Sequence, residues 1–271
     1  MHLAINYSLP AAKLLQAGRI NFDYFKAPDW KWMVDAAQTL RPVTVHFTLE
    51  AGNASPGHVN WEAVENLAQI TATSYINLHL DSKREHFPGI TVNTTDPSDV
   101  KQVFAVLLSD ITSVVERFSP SRVIVENSPF RGEAGNTLRP CVEPSLITRI
   151  VEETGCGFLL DISHAFITAH YLGMDHVEYF SHLPVRQIKE IHFAGIHRLN
   201  GQLIDHLSVL DEDWHRLDWV LERFHSGEWS QPWMLAFEYG GVGAEFEWRS
   251  DPHVIAEQVP LLLERLRIQS F

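Results

Sequence analysis

Short apolar runs alternate with longer amphipathic stretches along this chain. The runs at 3–7 (LAINY), 20–25 (INFDYF), 43–49 (VTVHFTL), 75–80 (YINLHL), 122–126 (RVIVE), 157–161 (GFLLD), 188–193 (IKEIHF) and 233–238 (WMLAFE) are rich in β-branched and aromatic residues. Several are bounded by Pro or Gly, and together these features predict strands. The stretches at 60–73, 97–118, 144–154, 175–182, 211–225 and 252–268 predict helices. Asp96-Pro97 supplies an N-cap followed by proline at the first helical position, and Gly155 suits the end of the helix at 144–154. The segments 127–143 and 225–232 read as loops, the first a candidate lid over a site. Strand–helix alternation implies a parallel sheet. Eight such units in 271 residues imply a TIM (β/α)8 barrel, α/β in class, with residues 1–271 as one domain.

Composition narrows the function. With 45% hydrophobic residues the chain can bury a full core, and no run reaches the ~18 apolar residues of a membrane span. A strand-like segment, Leu3 to Tyr7, stands where a signal peptide would carry a basic region and an apolar stretch, so a cytoplasmic protein is expected. The net charge of −13 repels phosphate backbones and disfavours nucleic-acid binding. Cys141 and Cys156 form neither a disulfide framework nor a Cys-x-x-Cys motif and read as buried or incidental thiols.

The chain has 15 histidines without a histidine-rich tract, so their placement carries the information. His46, His79, Glu126, Asp161, His192 and Glu238 stand at or near the C-terminal ends of six successive strands. His164 follows Asp161 by three residues, and Asp205-His206 follows the strand at 188–193. A barrel gathers such strand ends at one mouth. Four carboxylates packed there need positive charge, and the strand ends offer imidazoles rather than Lys or Arg. Mixed His and carboxylate donors suit iron, manganese or zinc. Singly, each residue has an ordinary reading: a core histidine, a helix cap at Asp161, a loop hydrogen bond at Glu126-Asn127.

His170, His176, His182, His215 and His225 fall on helices or their ends and are expected at the surface. Lys83 and Arg84 could hold a substrate anion or be a solvated charge run, and His86 and His197 could reach a substrate. The glycines of Tyr239-Gly240-Gly241-Val242-Gly243 read as a flexible loop, and Trp214, Trp219 and Trp233 as packing groups.

The run from Gly155 to Trp214 resembles the multinuclear non-haem iron-dependent oxidative enzymes, a bacterial family within the xylose isomerase-like TIM barrel superfamily. The similar stretches are Cys156-Gly157-Phe158-Leu159-Leu160-Asp161, Tyr179-Phe180-Ser181-His182-Leu183-Pro184, Glu190-Ile191-His192-Phe193-Ala194-Gly195 and Leu203-Ile204-Asp205-His206, with Glu126-Asn127-Ser128-Pro129 similar to the family's Glu-Asn loop. The resemblance implies metal ligation by His46, His79, Glu126, Asp161, His192, Asp205, His206 and Glu238. It implies two or three iron ions, dioxygen, and a ribosomally made peptide as substrate, often brought by a peptide-presenting partner protein. His164, where the family commonly has Asn, would be a further ligand or a proton carrier; Glu126 and Glu238 join it as candidate catalytic groups. Other departures are the contracted Asp205-His206 pair, Lys26 near the second strand where a Glu is expected, and Tyr239-Gly240-Gly241 after the last strand. Asp-x-x-His also resembles endonuclease IV, a zinc phosphodiesterase, and the wider superfamily includes sugar isomerases and epimerases acting on small molecules. A non-catalytic metal-binding barrel is the third reading.

Overall fold

The computed structural model describes residues 1–243 and 247–268. Its strands are β1 (His2–Asn6), β2 (Tyr24–Pro28), β3 (Val43–His46), β4 (Glu50–Ala51), β5 (Ile76–Leu80), β6 (Val123–Asn127), β7 (Gly157–Asp161), β8 (Ile188–Phe193), β9 (Gly195–Leu199), β10 (Gln202–Leu207) and β11 (Met234–Phe237). The α-helices are α1 (Leu9–Gln16), α2 (Lys31–Gln38), α3 (Trp61–Ile70), α4 (Pro97–Phe118), α5 (Pro144–Thr154), α6 (Ile162–Leu172), α7 (His176–Ser181), α8 (Asp211–His225) and α9 (Pro252–Ile268). The chain divides into two compact units: residues 1–46, 63–74 and 190–271, and residues 47–62 and 75–189.

In the first unit five parallel strands run in the order β3-β2-β1-β11-β8. Their register sets Lys26 opposite both Asn6 and Thr44, and His192 opposite Ala236. Because successive strand residues face opposite sides, Glu190 and His192 share a face of β8. After β8 the chain makes an antiparallel hairpin, β9 with β10, whose register slips between Ile204 and Leu207. Asp205 and His206 occupy that irregularity, and His206 takes a left-handed φ of 57°. At the open end of the hairpin the two strands approach closely at Gly195, where a Cβ would stand 1.9 Å from the Ser208 carbonyl oxygen.

In the second unit the order is β7-β6-β5-β4, again parallel. Here the register pairs His79 with Glu126, and Glu50 with His79. Ile76, Leu78, Val123, Val125, Phe158 and Leu160 are wholly buried along these strands. Helix α4 turns Val103, Leu107, Ile111 and Val114 inward, with Asp110 among them. The Asp110 carboxylate accepts from the main-chain N–H of Gly52, Asn53 and Ala54 at 2.8, 3.2 and 3.0 Å, which ties the segment after β4 to α4.

Helices α4, α5, α8 and α9 and strands β7 and β8 occupy the spans that the pattern predicts. The second strand does not: it lies at Tyr24–Pro28 rather than 20–25. The run at 43–49 stops at His46, and a separate short strand, β4, takes up the pairing with β5. Asp205 and His206, which follow the strand at 188–193, lie on a further strand, β10. The segment 127–143 is no loose cover, for Leu138, Pro140, Cys141 and Val142 are buried and Leu138 donates its N–H to Ser82. Among the described residues no helix is long and apolar enough to cross a membrane.

Candidate metal centre

In the second unit the sheet register brings Glu126, Asp161 and His164 together, and one donor atom from each lies within 4.8 Å of the others. Glu126 is 1% exposed at the end of β6. Its Oε2 is 3.3 Å from His79 Nε2, and its Oε1 is 3.9 Å from His164 Nδ1. Asp161 ends β7 and caps α6, its Oδ1 accepting from the His164 N–H at 2.7 Å. Its other oxygen, Oδ2, lies 3.7 Å from His164 Nε2. Asn127 clamps this corner: its side-chain amide donates to the Asp161 carbonyl and accepts from the Asp161 N–H, both at 2.9 Å.

The histidine rings are oriented by the backbone. His164 Nδ1 meets the Asn127 carbonyl oxygen at 2.8 Å, and His79 Nδ1 meets that of Leu49 at 3.2 Å. In the first unit His206 Nδ1 meets the Glu238 carbonyl oxygen at 3.1 Å. A carbonyl oxygen only accepts, so in each ring Nδ1 carries the proton and the neutral imidazole presents its lone pair at Nε2. Metal-ligating histidines are held in this way, with the second ring nitrogen donating to a carbonyl or carboxylate.

The first unit carries a second set. His192 is wholly buried and has Glu190 Oε1 at 3.0 Å from Nε2 and Glu238 Oε1 at 3.2 Å from Nδ1. The His46 ring centroid is 5.1 Å from that of His192. His206 Nδ1 is 3.5 Å from Glu238 Oε2, and its Nε2 is 4.0 Å from Asp205 Oδ2. Lys26, 3% exposed, reaches the same place from β2: its Nζ lies 2.9 and 3.2 Å from the two His192 nitrogens and forms an ion pair with Glu238. Burial pushes the Glu238 carboxyl up, but His192, Lys26, His206 and His46 outweigh it and hold the group well below the usual carboxylate range.

The remaining candidates have other partners within their own units. Lys83 donates to Glu50 at 2.6 Å and stands 3.5 Å from Asp81. Burial lowers its pKa, but these acids leave it raised. Arg84 pairs with Glu133 at 3.2 Å on an exposed turn. The His197 ring donates from Nε2 to the Ser208 carbonyl at 2.7 Å. His170, His176, His182, His215 and His225 are exposed. Two residues of the His192 and Glu238 set are not among the sequence candidates: Lys26, noted there only as a departure from the resemblance, and Glu190. The Glu190-Ile191-His192 alternation carries a signal for Glu190, since it puts both side chains on one strand face.

The description that matches this chain, over residues 97–228, is that of the RiPP precursor modification enzymes MbnB/TglH/ChrH, RiPPs being ribosomally synthesised and post-translationally modified peptides. A UPF0276 protein of Acaryochloris marina is 30% identical over 171 residues, 60% of this chain and 59% of that protein. The match thus spans less than two thirds of that relative's length. A UPF0276 protein of Chromobacterium violaceum is 27% identical over 187 residues, 67% of this chain and 66% of that protein. Among solved structures, a D-allulose 3-epimerase from Methylomonas sp. superposes with a TM-score of 0.59 at 10% identity, covering 98% of this chain and 96% of that one. That likeness shows the fold alone, α/β of the xylose isomerase-like TIM barrel type. The sequence matches go further: over residues 97–228 the chain is similar to the RiPP precursor modification enzymes MbnB/TglH/ChrH, and over longer stretches it is similar to the UPF0276 proteins.

Proposed function

We propose that this chain is an iron- and dioxygen-dependent enzyme that oxidatively modifies a ribosomally made peptide, with two or three iron ions as its cofactor. The observation that carries the metal reading is the Glu126, Asp161 and His164 group with its donor atoms within 4.8 Å, joined by His79 through Glu126. Two carboxylates and two imidazoles are a donor set that iron accepts, and also zinc or manganese. Such a set is costly to bury without a cation. The family match supports the peptide substrate, and the resemblance implies that a partner protein presents it.

The residues that would hold iron are His79, Glu126, Asp161 and His164, with Asp205 and His206 as a further pair. Bound iron would supply dioxygen activation and oxidation of a peptide donor group such as a cysteine thiolate. The protein's own part is to fix direction. Nδ1 of His164 is committed to the Asn127 carbonyl, so Nε2 alone can ligate or exchange a proton. With iron on that nitrogen, His164 is a ligand and the proton carrier must be another group. Glu126 Oε2 lies 3.3 Å from His79 Nε2, so the carboxylate and that ring could share one ion.

The test is anaerobic reconstitution with ferrous iron, removal of loose metal, and elemental analysis, followed by admission of air. Retained iron and a visible absorption band are expected, with a mass change in a cysteine-containing peptide encoded beside the gene. A colourless protein that takes up only zinc would overturn the oxidative reading, and turnover of a sugar without oxygen would favour an epimerase.

A further inference from the structure

The His192 and Glu238 set differs from the Glu126 set in one respect: a cation is already part of it. Lys26 comes from the middle of β2, where register fixes it between Asn6 and Thr44. Its side chain is 3% exposed, so its ammonium cannot turn to water without reorganising the strand's surroundings. It meets a His192 nitrogen at 2.9 Å and the Glu238 carboxylate, which are the two kinds of donor that a divalent ion would otherwise share. Lysine only donates, so the ring nitrogen that receives it must offer the lone pair that a metal would use. Glu190 at 3.0 Å from His192 Nε2 adds a second buried acid to the same network.

We propose that Lys26 is a built-in cation that takes the place of a metal ion at His192 and Glu238, so that these two residues are not metal ligands in this chain. This rests on the metal reading of the Glu126 set only for the ions that remain. A removed ammonium would leave the lone pair of His192 Nε2 facing Glu190 and strip Glu238 of its ion pair in a buried place, which is an unstable arrangement without a cation and a metal site with one.

The experiment compares the wild type, Glu238→Gln, Lys26→Gln and the double variant, each reconstituted with ferrous iron or manganese alone under anaerobic conditions. Metal per chain is measured by elemental analysis, and thermal unfolding is followed with and without EDTA. Glu238→Gln is expected to hold as much metal as the wild type. Lys26→Gln is expected to gain one ion per chain and to melt lower in EDTA than in metal, and the double variant to lose that ion. A Glu238→Gln protein that holds one ion fewer than the wild type overturns the proposal, and this arm decides even where Lys26→Gln does not fold. A wild type without metal beside a Lys26→Gln protein that binds one ion overturns the reading of the Glu126 set and supports this one. Absence of metal from both overturns both.

Discussion

Asn127 and Asp161 are joined by two hydrogen bonds of 2.9 Å, one in each direction, between the ends of neighbouring strands. The same Asn127 offers its own carbonyl to His164, so one residue fixes both an acid and a ring of the candidate centre. Asn127→Ala leaves a buried carbonyl and a buried N–H at position 161 without these partners, an expected loss of about 1–3 kcal/mol in urea unfolding. The metal affinity, read by competition with a chelator, is expected to fall roughly 10- to 100-fold.

Asp161 has two duties that substitution can separate. Oδ1 caps α6, and Oδ2 faces His164 Nε2. Asparagine caps a helix as well as aspartate does, while alanine costs about 1 kcal/mol at such a position. Asp161→Asn is therefore expected to keep its urea midpoint in EDTA near that of the wild type while losing metal. Asp161→Ala is expected to lose both. Equal metal content in all three proteins would remove Asp161 from the ligand set.

Asp110 acts at a distance. It holds Gly52, Asn53 and Ala54, just beyond the Leu49 carbonyl that orients His79. Asp110→Ala strips three N–H groups of a charged acceptor, and a loss on the order of 3 kcal/mol is expected in urea unfolding. Chelator competition is expected to show weaker metal binding as well, with Asp110→Asn between the two proteins.

The thiols are expected to be inert. Burial pushes Cys156 up to about 11, and it pushes Cys141 higher still. At pH 8 only about one Cys156 thiol in a thousand would be ionised, before any hindrance from burial. Native protein should resist iodoacetamide at pH 8, with slow labelling of Cys156 first as the pH approaches 11, and denatured protein should label at both cysteines. Rapid native labelling would show that the segments around them open.

Removing metal should loosen the fold. An ion present at 100 times its dissociation constant adds about 2.7 kcal/mol to the native state. For a chain of this size each kcal/mol is worth about 2–4 °C. EDTA is thus expected to lower the melting temperature of reconstituted protein by roughly 5–11 °C. An unchanged melting curve would show that no ion is tightly held.

The elements most legible in the sequence are those with local punctuation. Asp96-Pro97 opens α4 and Gly155 closes α5, and both helices keep their expected spans. Strand β7 is likewise explicit, a fully buried GFLLD between that glycine and a capping Asp. The second strand is different. Its apolar run begins at Ile20, but pairing with β1 begins at Tyr24, so a reading by hydrophobicity ends the strand before Lys26. A buried lysine reads as a strand end until its partners, far along the chain, are known. The β9–β10 hairpin was also out of reach, for it is an antiparallel excursion in a βα pattern and five of its eleven strand residues are His, Arg, Gln or Asp, which breaks any apolar run. The candidate ligands, by contrast, were visible because they sit at the ends of apolar runs.

The oxygens that steer His79, His164 and His206 belong to the main chain at positions 49, 127 and 238. Every amino acid brings that oxygen. The aim of these rings is accordingly written in the route of the backbone, and exchange of the side chains at Leu49 could proceed without turning His79 so long as the route is kept. A relative could then differ at such a supporting position and still point the same nitrogen at the same place, which a search for matching supporting residues would overlook.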